Sequence, residues 1–257
     1  GSQAAAGALL EDLEGSLLRV KAVKTRETTR RPLPPFITST LQQAASSVCG
    51  FSPSRTMRLA QSLYEGVDFG DGGPVGLITY MRTDSVNVAR DAQSAARQFI
   101  AVTYGDDYCP KKPNFYKSRA GAQEAHEAIR PTDPARTPES LQGVLDAPSL
   151  RLYELIWKRF IASQMSAAKI AQKTVEIAPE KALLRHSYLF TATASEVLFS
   201  GFLKVMALDV RKKKAEDNGA DEEAGDEVER LPPLEAGDPL VLLQWLCERK
   251  ETKPPAR

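Results

Sequence analysis

The most constraining feature of this 257-residue chain is the run Gly76-Leu-Ile-Thr-Tyr-Met-Arg-Thr-Asp-Ser85. Its apolar approach favours a strand, and Asp84-Ser85 favours a turn or a helix cap. Side chains two apart on a strand share a face, so Tyr80 and Arg82 are predicted to point the same way. A phenolate can attack phosphorus, and a guanidinium binds phosphate oxygens in a planar fork. The pair therefore suits a phosphodiester, although a half-buried tyrosine and a surface arginine at a strand end fit the same residues.

Apolar periodicity near 3.6 predicts most of the helices. Gly50 is expected to end the first helix, and Ser52-Pro53 is expected to cap and begin the second helix. This helix pair resembles a helix-turn-helix, although such hairpins are also common core units. The last predicted helix, residues 149–165, carries a stripe of apolar residues that includes Trp157 and is expected to pack in the core. The predicted helices cover residues 38–48, 53–65, 88 or 91 to 102, 138–145 and 149–165.

Alternation of apolar and polar residues predicts strands in the remaining parts of the chain. Three prolines at 32–35 mark a boundary, and Gly66 to Gly76 is expected to be a hairpin-like loop. Thr25 to Arg31 is polar and is predicted to be a solvated loop, although its positive charges also suit contact with phosphates. The charged stretch 211–230 is predicted to be a mobile loop. The predicted strands cover residues 17–23, 75–81, 174–177, 188–194, 203–208 and 240–246.

The composition shows no sign of a strongly basic protein, a zinc or disulfide-rich protein, or a membrane-spanning protein. The net charge is +1, so any nucleic-acid contact depends on local placement of Lys and Arg. Cys49, Cys109 and Cys247 lack the spacing of a zinc site or a disulfide framework, which favours reduced cytoplasmic thiols. We expect no metal site in the chain, and no apolar run has the length of a membrane span.

Two further stretches carry candidate binding residues. Tyr104 to Gly121 interleaves lysines with aromatic residues such as Phe115 and Tyr116. This composition suits single-stranded nucleic acid, because bases stack on rings and phosphates pair with cations. A loop held down by its own aromatics explains it equally well. His126 is one of two histidines, and the residues alone favour a structural histidine over a catalytic one.

Three segments together resemble a known family. Residues 76–85 are similar to the active-site tyrosine segment of type IA DNA topoisomerases. Gln123-Glu-Ala-His-Glu-Ala-Ile-Arg-Pro-Thr132 resembles the family's second signature, and Pro35-Phe-Ile-Thr-Ser-Thr-Leu-Gln42 resembles a third. Three matches in the right order are far more specific than one. Met81 and Arg130 are typical of the bacterial topoisomerase I branch.

The resemblance implies a function for each site residue. In the family, the tyrosine becomes joined to a 5′ phosphate of a cut single strand, and the histidine lies near the scissile phosphate. Tyr80 and Arg82 would then be catalytic residues. Five further residues would bind nucleic acid: Thr83, Asp84, Ser85, His126 and Arg130.

The resemblance also implies an α+β architecture. A mostly helical tyrosine domain with helix-turn-helix character, residues 36–166, would be inserted into a β-rich arch formed by residues 1–35 and 167–257. The family's Mg²⁺-binding acidic domain has no counterpart here. The chain starts Gly1-Ser2 without an initiating Met, so we expect an excised central fragment that is inactive alone.

The implied partners are single-stranded DNA and the missing domains of the same polypeptide. We expect a monomer in the cytoplasm, associated with the nucleoid and not with a membrane. Two other classes stay open: a non-catalytic single-stranded DNA-binding or strand-gate module, and an interaction domain in which Tyr80 is buried. Solvent exposure of Tyr80 distinguishes the last of these from the others.

Overall fold

The computed structural model describes residues 3–69, 73–117, 126–180, 184–206 and 231–245. These fall into two compact units. The tyrosine unit contains the described residues of 29–169 and 198–206. The sheet unit contains the described residues of 3–28, 170–197 and 231–245. The domain boundaries predicted after residues 35 and 166 stay a prediction. Residues 1–2, the charged stretch 211–230 and Cys247 lie outside the described residues.

Helices dominate the tyrosine unit. Gly50, with a left-handed φ of 69°, follows the first helix and its π-helical extension Ala45–Cys49. Ser52 caps the second helix by accepting from the Arg55 N–H at 3.3 Å. Asp146 caps the helix that was predicted at 149–165. The helices are α2 (Thr38–Ala44), α3 (Pro53–Glu65), α4 (Arg90–Tyr104), α5 (Ala147–Gln164) and α6 (Leu203–Met206), with 3₁₀ turns at Asp106–Tyr108 and Pro138–Leu141.

Helix α5 is the centre of the tyrosine unit's core. It packs against α3, α4 and α6, and Tyr153, Phe160 and Ile161 are buried. The Trp157 indole N–H donates to the Pro134 carbonyl at 2.9 Å, and the Phe99 ring meets the indole edge-on. The stripe predicted from sequence is therefore a packed core. Burying aromatic side chains of this size contributes strongly to stability.

The sheet unit holds helix α1 (Gln3–Leu13) and most of a four-stranded sheet. Its strands are β1 (Leu17–Arg30), β4 (Ala168–Glu180), β5 (Phe190–Phe199) and β6 (Pro239–Leu240), in the order β5-β4-β1-β6. Strand β1 runs antiparallel to β6 and buries Leu18 and Val20, as the alternation predicts. The α+β class predicted from sequence is confirmed.

A second, small sheet belongs to the tyrosine unit. Strands β2 (Val67–Asp68) and β3 (Pro74–Val75) pair antiparallel, with Val67 opposite Val75. This confirms the hairpin expected in the glycine-rich stretch; residues 70–72 between the two strands are outside the described part.

Four local predictions are wrong. Thr25–Arg30 continues β1, because β4 pairs with it and the Thr28 hydroxyl donates to the Ile170 carbonyl. Leu203–Met206 is helical, since Phe202 and Val205 reach the core at helical spacing. In 240–245 only Leu240 is in a strand, and Leu243 is exposed. In 75–81, only Val75 belongs to a strand, and Ile78 forms one isolated bridge.

Within the residues that the structure describes, no helix is long and apolar enough to cross a membrane.

Candidate active site around Tyr80

The three segments that carry the resemblance meet in the tyrosine unit. Phe36 forms an antiparallel bridge with Ile129, and Ile78 forms one with Pro131. The Ile129 N–H donates to the Phe36 carbonyl at 2.8 Å. We call these the upstream segment (35–42), the Tyr80 segment (76–85) and the downstream segment (126–132). Residues 123–125 of the sequence signature are outside the described part.

The downstream segment holds one edge of the Tyr80 segment. The Thr79 N–H donates to the Arg130 carbonyl at 2.9 Å, and the Thr132 N–H donates to the Leu77 carbonyl at 3.0 Å. The Thr79 hydroxyl donates to the Ala128 carbonyl at 2.7 Å. Buried Leu77 and Ile78 point into the core between these bonds. The backbone leading to Tyr80 is therefore fixed by main-chain pairing and by burial.

The end of α3 holds the other edge. The Leu77 N–H donates to the Leu63 carbonyl at 2.8 Å. A Cβ on Gly76 would lie 2.8 Å from the Tyr64 carbonyl oxygen, so only glycine fits this approach. The Tyr64 ring meets the Tyr80 ring edge-on, with centroids 5.5 Å apart. Tyr64 thus restricts where the Tyr80 ring can lie.

Thr38 of the upstream segment closes the arrangement. Its hydroxyl donates to the Met81 carbonyl at 2.8 Å and accepts from the Thr83 N–H at 2.9 Å. Its own N–H donates to the Thr83 carbonyl at 3.0 Å. Sequence reasoning missed this contact, although Thr38 lies in a segment that it singled out.

We expect Thr38→Val to destabilise the chain by about 1–3 kcal/mol, because its nearly isosteric side chain leaves the Thr83 N–H without its hydroxyl partner. Chemical denaturation followed by circular dichroism measures the change. The matched control is Ser39→Ala, which alters the exposed next residue of the same helix. Equal stability of the two variants would contradict the bridging function of Thr38.

From Tyr80 to Ser85, exposed and buried residues alternate. Tyr80, 45% exposed, Arg82 and Asp84 face solvent, whereas Met81, Thr83 and Ser85 are buried. Tyr80 and Arg82 are thus both exposed, although the backbone here is not a regular strand; that the two side chains point the same way stays a prediction. Among the described residues, neither the Tyr80 hydroxyl nor the Arg82 guanidinium has a hydrogen-bond or ion-pair partner. Both groups are therefore open to a ligand, and an interaction domain with a buried Tyr80 does not fit.

Thr83 and Ser85 use their hydroxyls locally. The Thr83 hydroxyl accepts from the Ser85 N–H at 3.0 Å, and the Ser85 hydroxyl accepts from the Asn87 N–H at 3.2 Å. These bonds form successive turns that lead to α4. The prediction that both side chains contact nucleic acid stays a prediction, and such contact would require them to leave these turns.

Arg130 and His126 differ in environment. Arg130 is only 9% exposed; its Nε donates to Glu127 Oε2 at 2.7 Å and its Nη1 donates to the Pro131 carbonyl at 3.0 Å. The same Glu127 oxygen accepts from the Ala89 N–H at 3.4 Å, at the start of α4. His126 is exposed. Arg130 therefore braces the downstream segment, and Glu127 is a part of the site that sequence reasoning missed.

The described part of the chain contains no group of three or more His, Cys, Asp or Glu side chains that could hold a metal ion. Mg²⁺ prefers oxygen ligands, with one or two carboxylates among them. Asp84 is exposed next to Arg82 and belongs to no such group among the described residues. A metal ion held by three or more such side chains would therefore need residues outside the described part of this chain.

Comparison with known proteins identifies the family. The family model described as DNA topoisomerase matches residues 1–257. The chain is 44% identical over 255 residues to DNA topoisomerase 1 of Xylella fastidiosa strain 9a5c, covering 99% of this chain and 30% of that protein. It is 41% identical over 247 residues to DNA topoisomerase 1 of Helicobacter pylori, covering 96% and 30%.

The solved structure of full-length topoisomerase I from Thermotoga maritima is similar to this fold. It aligns with a TM-score of 0.69 and 35% identity, covering 91% of this chain and 34% of that chain. The present chain thus spans about a third of the length of the proteins that it matches. It belongs to the DNA topoisomerase family, in the bacterial topoisomerase I branch.

Proposed function

We propose that this chain is the nucleophile-bearing part of a type IA DNA topoisomerase. The Tyr80 oxygen loses its proton and attacks a backbone phosphorus of single-stranded DNA. A new bond joins this oxygen to the 5′ phosphate, and the 3′ oxygen of the neighbouring nucleotide leaves and takes up a proton. Attack by that 3′ hydroxyl reverses the step, and strand passage before reversal relaxes negative supercoils. The observation that carries the proposal is an exposed Tyr80 and Arg82 on a segment held at both edges.

Each exposed residue has a distinct function in this proposal. The Arg82 guanidinium binds oxygens of the scissile phosphate, where charge builds up during attack. His126 donates a hydrogen bond to a phosphate oxygen, and more strongly when protonated. Asp84 accepts from a donor group of the strand.

Three buried residues support this arrangement from behind. Thr83 and Ser85 form the turns beneath Arg82 and Asp84, and Arg130 fixes the downstream segment through Glu127. We therefore assign to these three residues a positioning function in the first instance. Direct contact with DNA stays a prediction for each of them.

We propose that the complete enzyme uses Mg²⁺, and that the ion is bound by residues that the described part of this chain does not supply. The other proposed partners are single-stranded DNA and the remainder of the same polypeptide, in a monomer that acts in the cytoplasm on nucleoid DNA. A non-catalytic strand-binding module is the competing function, since it would use the same exposed residues without reaction.

Covalent capture distinguishes these two functions. Labelled single-stranded DNA is incubated with magnesium and either the full-length parent enzyme or this chain, then denatured. We expect a protein-linked label only with the full-length enzyme, because no described side chain hydrogen-bonds the Tyr80 hydroxyl to take its proton and the described residues hold no group of three or more metal-binding side chains. A peptide map should place the label on Tyr80.

Two outcomes would overturn parts of this proposal. A Tyr80-dependent adduct with the chain alone would show that the chemistry is self-contained. An adduct with the full-length enzyme on another residue would remove Tyr80 as the nucleophile.

A further inference from the structure

The tyrosine unit contains a large cavity that the proposed reaction does not use. Its volume is about 890 Å³, within the range of ligand sites. No residue of the upstream, Tyr80 or downstream segments lines it. The lining residues that matter here are Arg31, Asn114, Phe115, Tyr116 and Lys169.

The wall that carries Phe115 is anchored on both sides. The Asn114 side-chain amide donates to the carbonyls of Ser163 and Met165, each at 2.9 Å. The Tyr116 hydroxyl donates to the Ser163 carbonyl at 2.8 Å, and burial raises the pKa of Tyr116 to about 12. The Tyr116 hydroxyl therefore stays a neutral donor at physiological pH. Phe115 thus sits between two fixed neighbours.

Phe115 itself is 84% exposed. Because its neighbours are tied to the end of α5, a fixed backbone presents this aromatic ring to solvent. Stacking a partner on this ring would remove its apolar surface from water, which is favourable. A flat ring at the edge of an open cavity is suited to stacking with another flat ring.

The charges around the cavity favour an anionic partner. Arg31 and Lys169 are exposed, and neither has a hydrogen-bond or ion-pair partner among the described residues. Asp107 is the one acidic residue of the lining, and its side chain is exposed, so the two cations face a single carboxylate. Three exposed lysines follow on the same stretch: Lys111, Lys112 and Lys117.

We propose that this cavity is a second single-stranded DNA site, in which a base stacks on Phe115 and a backbone phosphate lies between Arg31 and Lys169. An aromatic platform beside free cations is how proteins hold single strands without sequence preference. The inference deepens the proposed function and rests on it for the choice of DNA as ligand. The site would hold a strand away from Tyr80, so that cleavage and retention use different residues.

The test uses this chain with a fluorescent oligothymidylate at low salt. Phe115→Ala should weaken binding about tenfold, from the loss of one stacked base. The double change Arg31→Gln with Lys169→Gln should weaken it comparably and flatten its dependence on salt. Phe115→Tyr should bind normally, and so should the control Val102→Ala, which alters another exposed apolar residue of the same unit.

Two further measurements report on the cavity directly. In Phe115→Trp, the new indole fluorescence should be quenched as the oligonucleotide saturates the site. An oligonucleotide with abasic positions should bind the unaltered chain as weakly as the normal one binds Phe115→Ala, and the two losses should not add. Normal binding by Phe115→Ala together with an unquenched Trp would overturn the site.

Failure here is distinguishable from failure of the proposed function. The Phe115→Trp quenching should persist when Tyr80→Phe is added, because the cavity lies apart from the Tyr80 segment. Loss of quenching with intact covalent capture would remove the cavity site alone. Quenching in this chain together with no covalent capture by the full-length enzyme would support the cavity site and remove the enzyme function.

Discussion

Tyr80→Phe in the full-length enzyme should abolish covalent capture of DNA and relaxation of supercoiled plasmid. The change removes only the phenolic oxygen, which has no partner among the described residues and therefore does not hold the fold together. The ring stays edge-on to Tyr64, so the surface offered to DNA is otherwise unchanged. Binding of a single-stranded oligonucleotide should stay within about twofold, since one neutral hydrogen bond contributes only about 0.5–1.5 kcal/mol.

The matched control is Tyr64→Phe, which removes a hydroxyl from the neighbouring ring. It should retain cleavage, because the edge-on packing needs the ring and not the hydroxyl. A Tyr80→Phe enzyme that still relaxes plasmid would falsify the assignment of the nucleophile. Equal loss of activity in both variants would show that the Tyr64 hydroxyl is required as well, so the loss in Tyr80→Phe could not be assigned to the nucleophile alone.

Arg82→Lys should lower the rate of cleavage by about 10²–10³-fold, the usual effect of losing one donor that stabilises developing charge. The charge is kept, but the planar fork that binds two oxygens is lost. Since Arg82 is exposed and unpartnered within the described part of the chain, the fold should be unaffected. Single-turnover cleavage of a labelled oligonucleotide measures the rate.

Arg58→Lys on the exposed side of α3 is the control for changing an arginine fork elsewhere in the same unit. It should cleave normally. If Arg82→Lys also cleaved at the full rate, Arg82 would be a surface charge and the phosphate contact would have to come from another residue, with His126 the first candidate.

Local signals predicted the helical part of the fold well. Ser52 before Pro53, Gly50 after a periodic run, and the stripe around Trp157 each act within a few residues, so the chain shows them directly. The errors arose where contacts with distant parts of the chain decide the local structure. Leu203–Met206 alternates like a strand, but the core that receives Val205 makes it a helix.

The candidate site divides in the same way. The exposure of Tyr80 and Arg82 agrees with the expectation from their spacing, although the strand on which that expectation rested is not formed. The Thr38 hydroxyl reaches the Met81 carbonyl across 43 positions of sequence, and Thr79 reaches Ala128 across 49. Such long-range hydrogen bonds leave no periodic signal in the residues. Only the resemblance of the three segments indicated that they belong together.

The hydrogen bonds along both edges of the Tyr80 segment have a mechanical consequence. A DNA end joined to Tyr80 would transmit any tension in the strand to residues 77–83. There the backbone is tied to α3, to the downstream segment and to Thr38. A pull on the side chain would load these bonds together and not one after another. Several hydrogen bonds would therefore have to break at the same time before the Tyr80 segment could be pulled away from the rest of the unit.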